Sequence, residues 1–347
     1  MRLRLRTGAL LALALLFVQS SVASAQPGLP GQNGDPETGP PPSVSTTGSY
    51  LDRIERISDR EAMLYVYSAA MQKVIPLEVI TPADNSVARP TLYLLNGAGG
   101  GEDSATWRER TDLFGFFMDK NVNVVTPIGG AYTYYTDWIN EDPDLGIVKW
   151  ETFLTRELPP IVDTALGATG RNAIAGLSMS ATSVLALAIA APEVYDAVGS
   201  YSGCARTSDR LGEFYVRTVL AGPGDVDNMW GPSGSPAWRE YDPYLNAEGL
   251  RGTVVYVSSA TGLPGPYDTF DNDFVQGSPA RYANLLVVGG LLEAATYQCT
   301  VDFARRLDEL NIPAHINLRP AGTHSWAYWE EDLRVSWPIL SEAIGLG

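Results

Sequence analysis

Short apolar runs alternate with segments of helical apolar spacing through most of the chain. Such runs are typical of strands buried on both faces, and they occur at residues 91–95, 122–126, the run that ends at Leu177, 197–201, 253–259 and 315–318. The intervening helical patterns lie at residues 107–118, 147–158, 184–191, 291–310 and 328–344. This alternation predicts an α/β fold in which helices cover both faces of a mainly parallel sheet.

Earlier strands are separated by polar residues and should form an antiparallel lead-in to that sheet, at residues 54–58, 63–68 and 75–81. The helix at residues 147–158 is expected to stop at Pro159 and Pro160, because proline lacks an N–H donor and crowds the preceding turn. Residues 222–244 are rich in Gly, Pro and Trp without clear periodicity. They predict a long ordered insertion beside the functional site.

The N-terminal segment has the features of a secretory signal. Residues 1–25 combine early arginines, an apolar core and the cleavage pattern Ala23-Ser24-Ala25. That core is too short to span a bilayer, and no later apolar stretch is long enough. Residues 26–48, rich in Pro, Gly, Ser and Thr, predict a disordered lead-in. We therefore expect a secreted or cell-envelope protein without a transmembrane anchor, with residues 49–347 as a single domain.

Charge and cysteine content narrow the class of protein. The formal net charge is −16, from 24 Lys and Arg against 40 Asp and Glu. An acidic surface disfavours nucleic acid and anionic lipid as partners, and it fits an exported enzyme with a neutral substrate. Cys204 and Cys299 can oxidise in an exported protein, so a disulfide is predicted. The two histidines and two cysteines form no ligand cluster, and no metal or other cofactor is expected.

Small residues surround one serine at the junction of a strand and an apolar helix. Gly176-Leu177-Ser178-Met179-Ser180 has the layout of a nucleophile elbow, with small side chains two positions before and after the serine. The general pattern has Gly at the second of these positions, where this chain has Ser180. The pattern predicts Ser178 as a nucleophile at the carboxyl edge of the sheet, where ligands bind in parallel sheets.

A serine nucleophile needs a general base, and the chain has two histidines. His324 follows the last predicted strand in a Gly-Thr-His-Ser-Trp loop, where this architecture places its base. His315 lies inside the apolar run of that strand, which favours a packed or surface role. The sequence therefore predicts His324 as the residue that takes the Ser178 proton and later returns it.

Two backbone amides are expected to form an oxyanion hole. One is the N–H of Met179, directly after the nucleophile, at the start of a helix. The other should come from the glycine-rich loop Asn96-Gly97-Ala98-Gly99-Gly100-Gly101, with Ala98 as the candidate. A phosphate-binding role for this loop is disfavoured because it lacks the lysine of a P-loop.

The acid that orients His324 should lie between Ser178 and His324 in the chain. Asp268, Asp271 and Asp273 follow the strand at residues 253–259, which is the usual location. Glu293 comes later, at the start of a helix. Spacing alone favours the aspartates.

Taken together, several motifs resemble the exported mycolyltransferases of the antigen 85 type, in the order of that family and over essentially residues 51–347. The glycine-rich loop and the cysteine pair are most similar to the corynebacterial type. The motifs are Tyr93-Leu94-Leu95-Asn96-Gly97, Tyr135-Thr136-Asp137-Trp138, Gly176-Leu177-Ser178-Met179, Asn228-Met229-Trp230-Gly231-Pro232, Pro236-Ala237-Trp238, Asp242-Pro243 and Gly322-Thr323-His324-Ser325-Trp326-Ala327-Tyr328-Trp329.

The resemblance implies an α/β-hydrolase fold and assigns the acid to Glu293, which matches the Leu-Glu pair of the family. It implies transfer of a mycolyl group from trehalose monomycolate, an acyl-trehalose glycolipid, to an alcohol through an acyl-serine. The acceptor would be a second glycolipid, a cell-wall glycan or a protein hydroxyl. Candidate substrate-binding residues are Asn96, Ser325 and Trp326.

The chain also departs from the family pattern. Asn96 and Gly99 stand where the family has Asp and Arg in a loop that contacts trehalose, and Arg206 stands at a further Asp. These differences concern the binding of trehalose as acceptor more than the transfer of the acyl group. Two other hypotheses stay open on the sequence: an exported carboxylesterase of the same fold, and a non-catalytic protein that binds the cell wall.

Overall fold

The computed structural model describes residues 46–347. The predicted signal peptide, residues 1–25, lies outside the described residues, and so does the predicted lead-in as far as residue 45. The start of the domain at residue 49 therefore stays a prediction. None of the helices within residues 46–347 combines the length and apolar character that a bilayer span requires.

One nine-stranded sheet runs through the described part of the chain, in the order β1-β2-β3-β5-β4-β6-β7-β8-β9. Its strands are β1 (Tyr50–Arg56), β2 (Glu61–Ser68), β3 (Lys73–Ile80), β4 (Arg89–Leu95), β5 (Asn123–Pro127), β6 (Ala168–Leu177), β7 (Ala197–Tyr201), β8 (Val254–Ala260) and β9 (Ala314–Arg319). The pairings among β1, β2, β3 and β5 are antiparallel, and those from β5 through β4 to β9 are parallel. The predicted mainly parallel sheet with an antiparallel lead-in is confirmed.

Helices connect the parallel strands and supply the layers on either side. They are α1 (Trp107–Arg110), α2 (Leu113–Phe117), α3 (Trp150–Thr152), α4 (Leu158–Leu166), α5 (Met179–Ala190), α6 (Arg210–Val219), α7 (Val226–Trp230), α8 (Pro236–Glu240), α9 (Pro279–Asn284), α10 (Gly290–Glu309) and α11 (Trp326–Ala343). Wide π-turns at Phe153–Glu157 and Leu285–Gly289 join α3 to α4 and α9 to α10. The predicted insertion at residues 222–244 is ordered around α7 and α8.

Alternate residues of the central strands face opposite helical layers. Tyr93 and Leu95 of β4 point into a core formed with α4, α5 and α10. Leu92 and Leu94 point to the other side, into a core formed with α1, α2 and α11. Burial on both faces explains why these strands are continuous apolar runs in the sequence.

The helix predicted to end at Pro159 and Pro160 does not end there. It continues through both prolines to Leu166, and the next residue, Gly167, adopts a left-handed conformation with φ of 60°. The prolines directly follow the π-turn at Phe153–Glu157, which shifts the carbonyl groups that a proline ring would otherwise meet. The predicted stop was therefore wrong because a local widening of the helix accommodates the rings.

The helix predicted at residues 107–118 is also divided. Helix α1 ends at Arg110, and α2 starts after Asp112, whose side chain accepts a hydrogen bond from Gly115 N. An aspartate in this position satisfies free N–H groups of the first turn and so favours a new helix start. Apolar spacing spans the break, so the pattern alone predicts one helix.

Glu151 lies behind the helix that follows Ser178. It lines a cavity of about 230 Å³ together with Ala186 of α5 and Tyr241. Burial raises the pKa of the Glu151 carboxyl to about 7, and the negative charges of Asp137 and Glu240 act in the same direction. The charged form of Glu151 is therefore disfavoured in the folded protein.

This environment predicts a pH-dependent penalty on stability. The folded-state pKa exceeds the ordinary glutamate value of 4.5. The unfolding free energy should therefore fall as pH rises from that value to about 7, and level off above it. Glu151→Gln should make the decrease smaller, measured by urea unfolding at pH 5 and pH 8, because only the contribution of Glu151 is removed. Glu141→Gln, at an exposed position, changes the net charge equally and serves as the control. Equal pH dependence of the two variants would contradict the assignment.

Candidate active site

Ser178 occupies a sharp turn between β6 and α5. Its φ of 56° and ψ of −120° are unusual for a residue with a side chain. A Cβ atom at Gly176 would lie only 2.5 Å from Ser180 Oγ, so the turn requires glycine there. Ser180 Oγ in turn accepts a hydrogen bond from Leu177 N at 3.0 Å. The serine that replaces the usual glycine thus braces the turn from within.

His324 connects Ser178 to a buried carboxylate. Its Nε2 lies 2.9 Å from Ser178 Oγ, and its Nδ1 lies 2.9 Å from Glu293 Oε2. The backbone N–H of His324 donates to Gly289 O at 3.1 Å, which holds the loop after β9 against the start of α10. His315 is exposed on β9. Ser178, His324 and Glu293 form a continuous hydrogen-bonded chain, although they come from three separate segments of the sequence.

Glu293 is fully buried, and both of its carboxylate oxygens have donors. While Oε2 faces His324, Oε1 accepts hydrogen bonds from Ser202 Oγ at 2.8 Å, Ser259 Oγ at 3.1 Å and Ala260 N at 2.7 Å. A buried carboxylate is stable only when its hydrogen-bonding capacity is satisfied. The serines at the ends of β7 and β8 were not singled out from the sequence, because they carry no local pattern.

The aspartates favoured by spacing lie elsewhere. Asp268 is buried and accepts hydrogen bonds from Thr323 Oγ1 at 2.5 Å and Tyr328 OH at 2.8 Å. It therefore anchors the residue just before His324 rather than the imidazole. Asp271 and Asp273 are exposed. The structure places Glu293, and not one of these aspartates, against His324.

The two predicted oxyanion donors belong to segments that border Ser178. Met179 is the first residue of α5, so its N–H has no partner within the helix. A Cβ atom at Gly97 would lie 3.7 Å from Ser178 Cβ, so the loop that carries Ala98 lies directly beside the serine. Ala98 O accepts a hydrogen bond from Tyr132 N at 2.8 Å, which fixes this loop.

The predicted substrate-binding residues have different surroundings. Asn96 is 1% exposed, and its Oδ1 accepts a hydrogen bond from Trp107 N at 3.1 Å. Asn96 therefore holds the first residue of α1 through this hydrogen bond. Its contact with a sugar stays a prediction. Ser325 and Trp326 are half-buried at the start of α11, with the Trp326 ring edge-on to Trp107.

The predicted disulfide between Cys204 and Cys299 is confirmed, with a Cα–Cα distance of 5.0 Å. Cys204 follows β7 and Cys299 lies on α10, so the bridge ties the segment of Ser202 to the helix of Glu293. Within residues 46–347 no group of three or more His, Cys, Asp or Glu side chains is arranged to hold a metal ion.

A mainly parallel sheet, a strained serine at a strand-to-helix turn and a histidine after the last strand together define the α/β-hydrolase class. The chain belongs to the Esterase family, whose model matches residues 68–338.

Its relatives include diacylglycerol acyltransferase/mycolyltransferase Ag85A of Mycobacterium leprae (strain TN), 32% identical over 295 residues, 81% of this chain and 83% of the relative. Ag85B of Mycobacterium intracellulare is 31% identical over 300 residues, 81% of this chain and 83% of the relative.

Solved structures share the fold. MPT51 of Mycobacterium tuberculosis has a TM-score of 0.67 and 23% identity, and the match covers 83% of this chain and 100% of that protein. The fluorophosphonate-binding serine hydrolase FphF of Staphylococcus aureus has a TM-score of 0.57 and 17% identity, with coverage of 82% and 97%. These structures show the α/β-hydrolase fold. The family match and the acyltransferase relatives identify the chain as an enzyme of that fold.

Removal of the disulfide should destabilise the protein. The bridge closes a loop of 95 residues, so reduction should lower the unfolding free energy by about 2–5 kcal/mol. We expect this loss in urea unfolding with and without reductant, and the same loss in the double variant Cys204→Ser, Cys299→Ser. Added reductant should leave the double variant unchanged. Identical unfolding of the oxidised and reduced protein would contradict a stabilising role.

Proposed function

We propose that the chain is an exported serine acyltransferase that moves a mycolyl group from trehalose monomycolate to an alcohol acceptor. The observation that carries this proposal is the hydrogen-bonded chain from Ser178 through His324 to Glu293. The relatives named as mycolyltransferases support the acyl donor. We propose a second glycolipid, a cell-wall glycan or a protein hydroxyl as the acceptor, and the cell envelope as the place of action.

In the first half-reaction Ser178 Oγ attacks the ester carbonyl carbon while His324 Nε2 takes its proton. Glu293 keeps Nδ1–H directed at its carboxylate and stabilises the imidazolium that forms. The N–H groups of Met179 and Ala98 stabilise the negative charge on the tetrahedral oxygen. Collapse of the intermediate breaks the ester bond, His324 protonates the departing trehalose oxygen, and the acyl group stays on Ser178.

The second half-reaction repeats these steps in reverse with a new alcohol. His324 removes the proton of the acceptor hydroxyl, whose oxygen attacks the acyl-serine carbonyl. The new ester then leaves, and the proton returns to Ser178. If water takes the place of the alcohol, the same groups give a carboxylesterase, which the Esterase family favours as the alternative. The two activities differ in which nucleophile reaches the acyl-enzyme, not in the residues that perform the chemistry.

Mass spectrometry of the intact protein tests the nucleophile. After incubation with trehalose monomycolate, wild type should gain the mass of one mycolyl group, and Ser178→Ala should gain none and lose at least about a thousandfold in turnover. Trehalose dimycolate and free trehalose as products indicate transfer, whereas free mycolic acid alone indicates the esterase. A Ser178→Ala protein that still labels or turns over would overturn the proposal, as would an unlabelled and inactive wild type.

Substitution of the acids tests which carboxylate supports His324. Glu293→Gln should lower kcat by about ten thousandfold, because the imidazolium loses its buried counter-charge and its fixed tautomer. Asp271→Asn, at an exposed loop position, is the matched control and should retain activity. The assignment of Glu293 is wrong if its variant is active while Asp271→Asn is inactive. Circular dichroism of both variants checks that each is folded.

A further inference from the structure

The rim of the candidate site carries large apolar side chains that face solvent. Leu263 is 62% exposed, Val287 59%, Leu291 60% and Leu292 43%. We call these four residues the apolar rim. Single exposed apolar residues are common on protein surfaces, whereas a contiguous group beside a functional site marks an interaction surface.

The two segments that carry the apolar rim touch each other. A Cβ atom at Gly290 would lie 2.8 Å from Gly262 O, so the backbones that carry Leu291 and Leu263 are in contact. Val287 precedes Leu291 by one turn, on the π-turn that leads into α10. The four side chains thus come from two short stretches that pack against each other.

The same two stretches hold the loop of His324. Leu263 O accepts a hydrogen bond from Gly322 N at 2.7 Å, and Gly289 O accepts one from His324 N at 3.1 Å. Leu292 directly precedes the buried Glu293. The apolar rim is therefore fixed at the edge of the site, and its four residues belong to neither core cluster of the sheet.

The distribution of charged residues indicates which kind of lipid surface the apolar rim can bind. Residues 261–267 and 282–292 contain no Asp, Glu, Lys or Arg, although the whole chain is 18% charged and carries a net charge of −16. An anionic membrane would repel such a protein, and the apolar rim has no cations to offset that repulsion. A surface of uncharged lipid headgroups admits leucine and valine side chains without an electrostatic cost.

We propose that the apolar rim docks the protein on an uncharged glycolipid surface, so that esters in that surface lie beside Ser178. This inference rests on the proposed function for the identity of the lipid. The binding itself is tested separately from turnover, because the hydrogen-bonded chain that runs from Ser178 through His324 to Glu293 contains no residue of the apolar rim.

Vesicle sedimentation tests the proposal with a matched pair of valines. Val287→Ser is compared with Val87→Ser. Val87 is similarly exposed, at 58%, but it lies just before β4, at the amino end of the parallel strands and away from the site. Two kinds of vesicle are compared. The uncharged vesicles contain phosphatidylcholine and trehalose monomycolate, and the anionic vesicles contain phosphatidylglycerol. Wild type and Val87→Ser should bind the uncharged vesicles in preference to the anionic ones. The triple variant Leu263→Ser, Val287→Ser, Leu291→Ser should bind them about tenfold or more weakly, with Val287→Ser intermediate.

Two further readouts separate this proposal from the proposed function. Hydrolysis of water-soluble p-nitrophenyl butyrate should be equal in wild type and both valine variants, and Ser178→Ala should bind vesicles like wild type. Equal vesicle binding by Val287→Ser, the triple variant and wild type overturns the docking proposal, as does an equal loss in Val87→Ser. Sedimentation velocity identifies another occupant: if the substitutions abolish self-association and leave vesicle binding unchanged, the apolar rim pairs two copies of the chain and the lipid proposal fails.

Discussion

The buried carboxylate of Glu293 is the constraint on which the arrangement of the site depends. An ionised group without contact to water must find its hydrogen bonds inside the protein. Here the donors come from Ser202 after β7, from Ser259 and Ala260 at the end of β8, and from His324 after β9. One side chain on α10 therefore fixes the ends of three consecutive strands. Because Ser202, Ser259 and Ala260 fix the carboxylate, its other oxygen holds the His324 imidazole at Ser178.

The position of Ser178 and His324 could be predicted because each leaves a local mark. A strand-to-helix turn with left-handed φ at the serine admits only small neighbours, and Gly176 with Ser180 records that requirement in sequence. A histidine directly after the last strand is placed by the topology of the sheet. The alternation of apolar runs likewise predicted the sheet itself, since the runs in β4 to β8 are buried on both faces. The last strand, β9, is half-buried apart from the exposed His315.

The acid leaves no such mark. Spacing after β8 favoured Asp268, Asp271 and Asp273, and only the resemblance to the antigen 85 type indicated Glu293. The segment between β8 and α10 is long, and it returns to the site through the π-turn at Leu285–Gly289. Apolar periodicity does not show where the chain comes back to the site, because a π-turn interrupts the helical spacing of apolar residues. The π-turn at Phe153–Glu157 likewise hid the continuation of the helix through Pro159 and Pro160. Asp268 instead supports His324 through Thr323, a contact 55 residues apart in sequence.

The departures from the antigen 85 pattern concern charge and leave the acyl-transfer groups intact. A Cβ atom at Gly99 would lie 2.4 Å from Asp103 Oδ2, so no side chain fits there unless Asp103 moves. Beside Gly99, where the family has Arg, this chain thus has a carboxylate. An ionised carboxylate only accepts hydrogen bonds, whereas a guanidinium only donates them. Arg206 stands where the family has Asp, and it pairs with Asp209 and Asp302 at 3.4 Å. Sugar hydroxyls both donate and accept, so the proposed glycolipid substrate could be held with its hydroxyls reoriented. The proposed catalytic residues Ser178, His324 and Glu293 are unaffected by these departures.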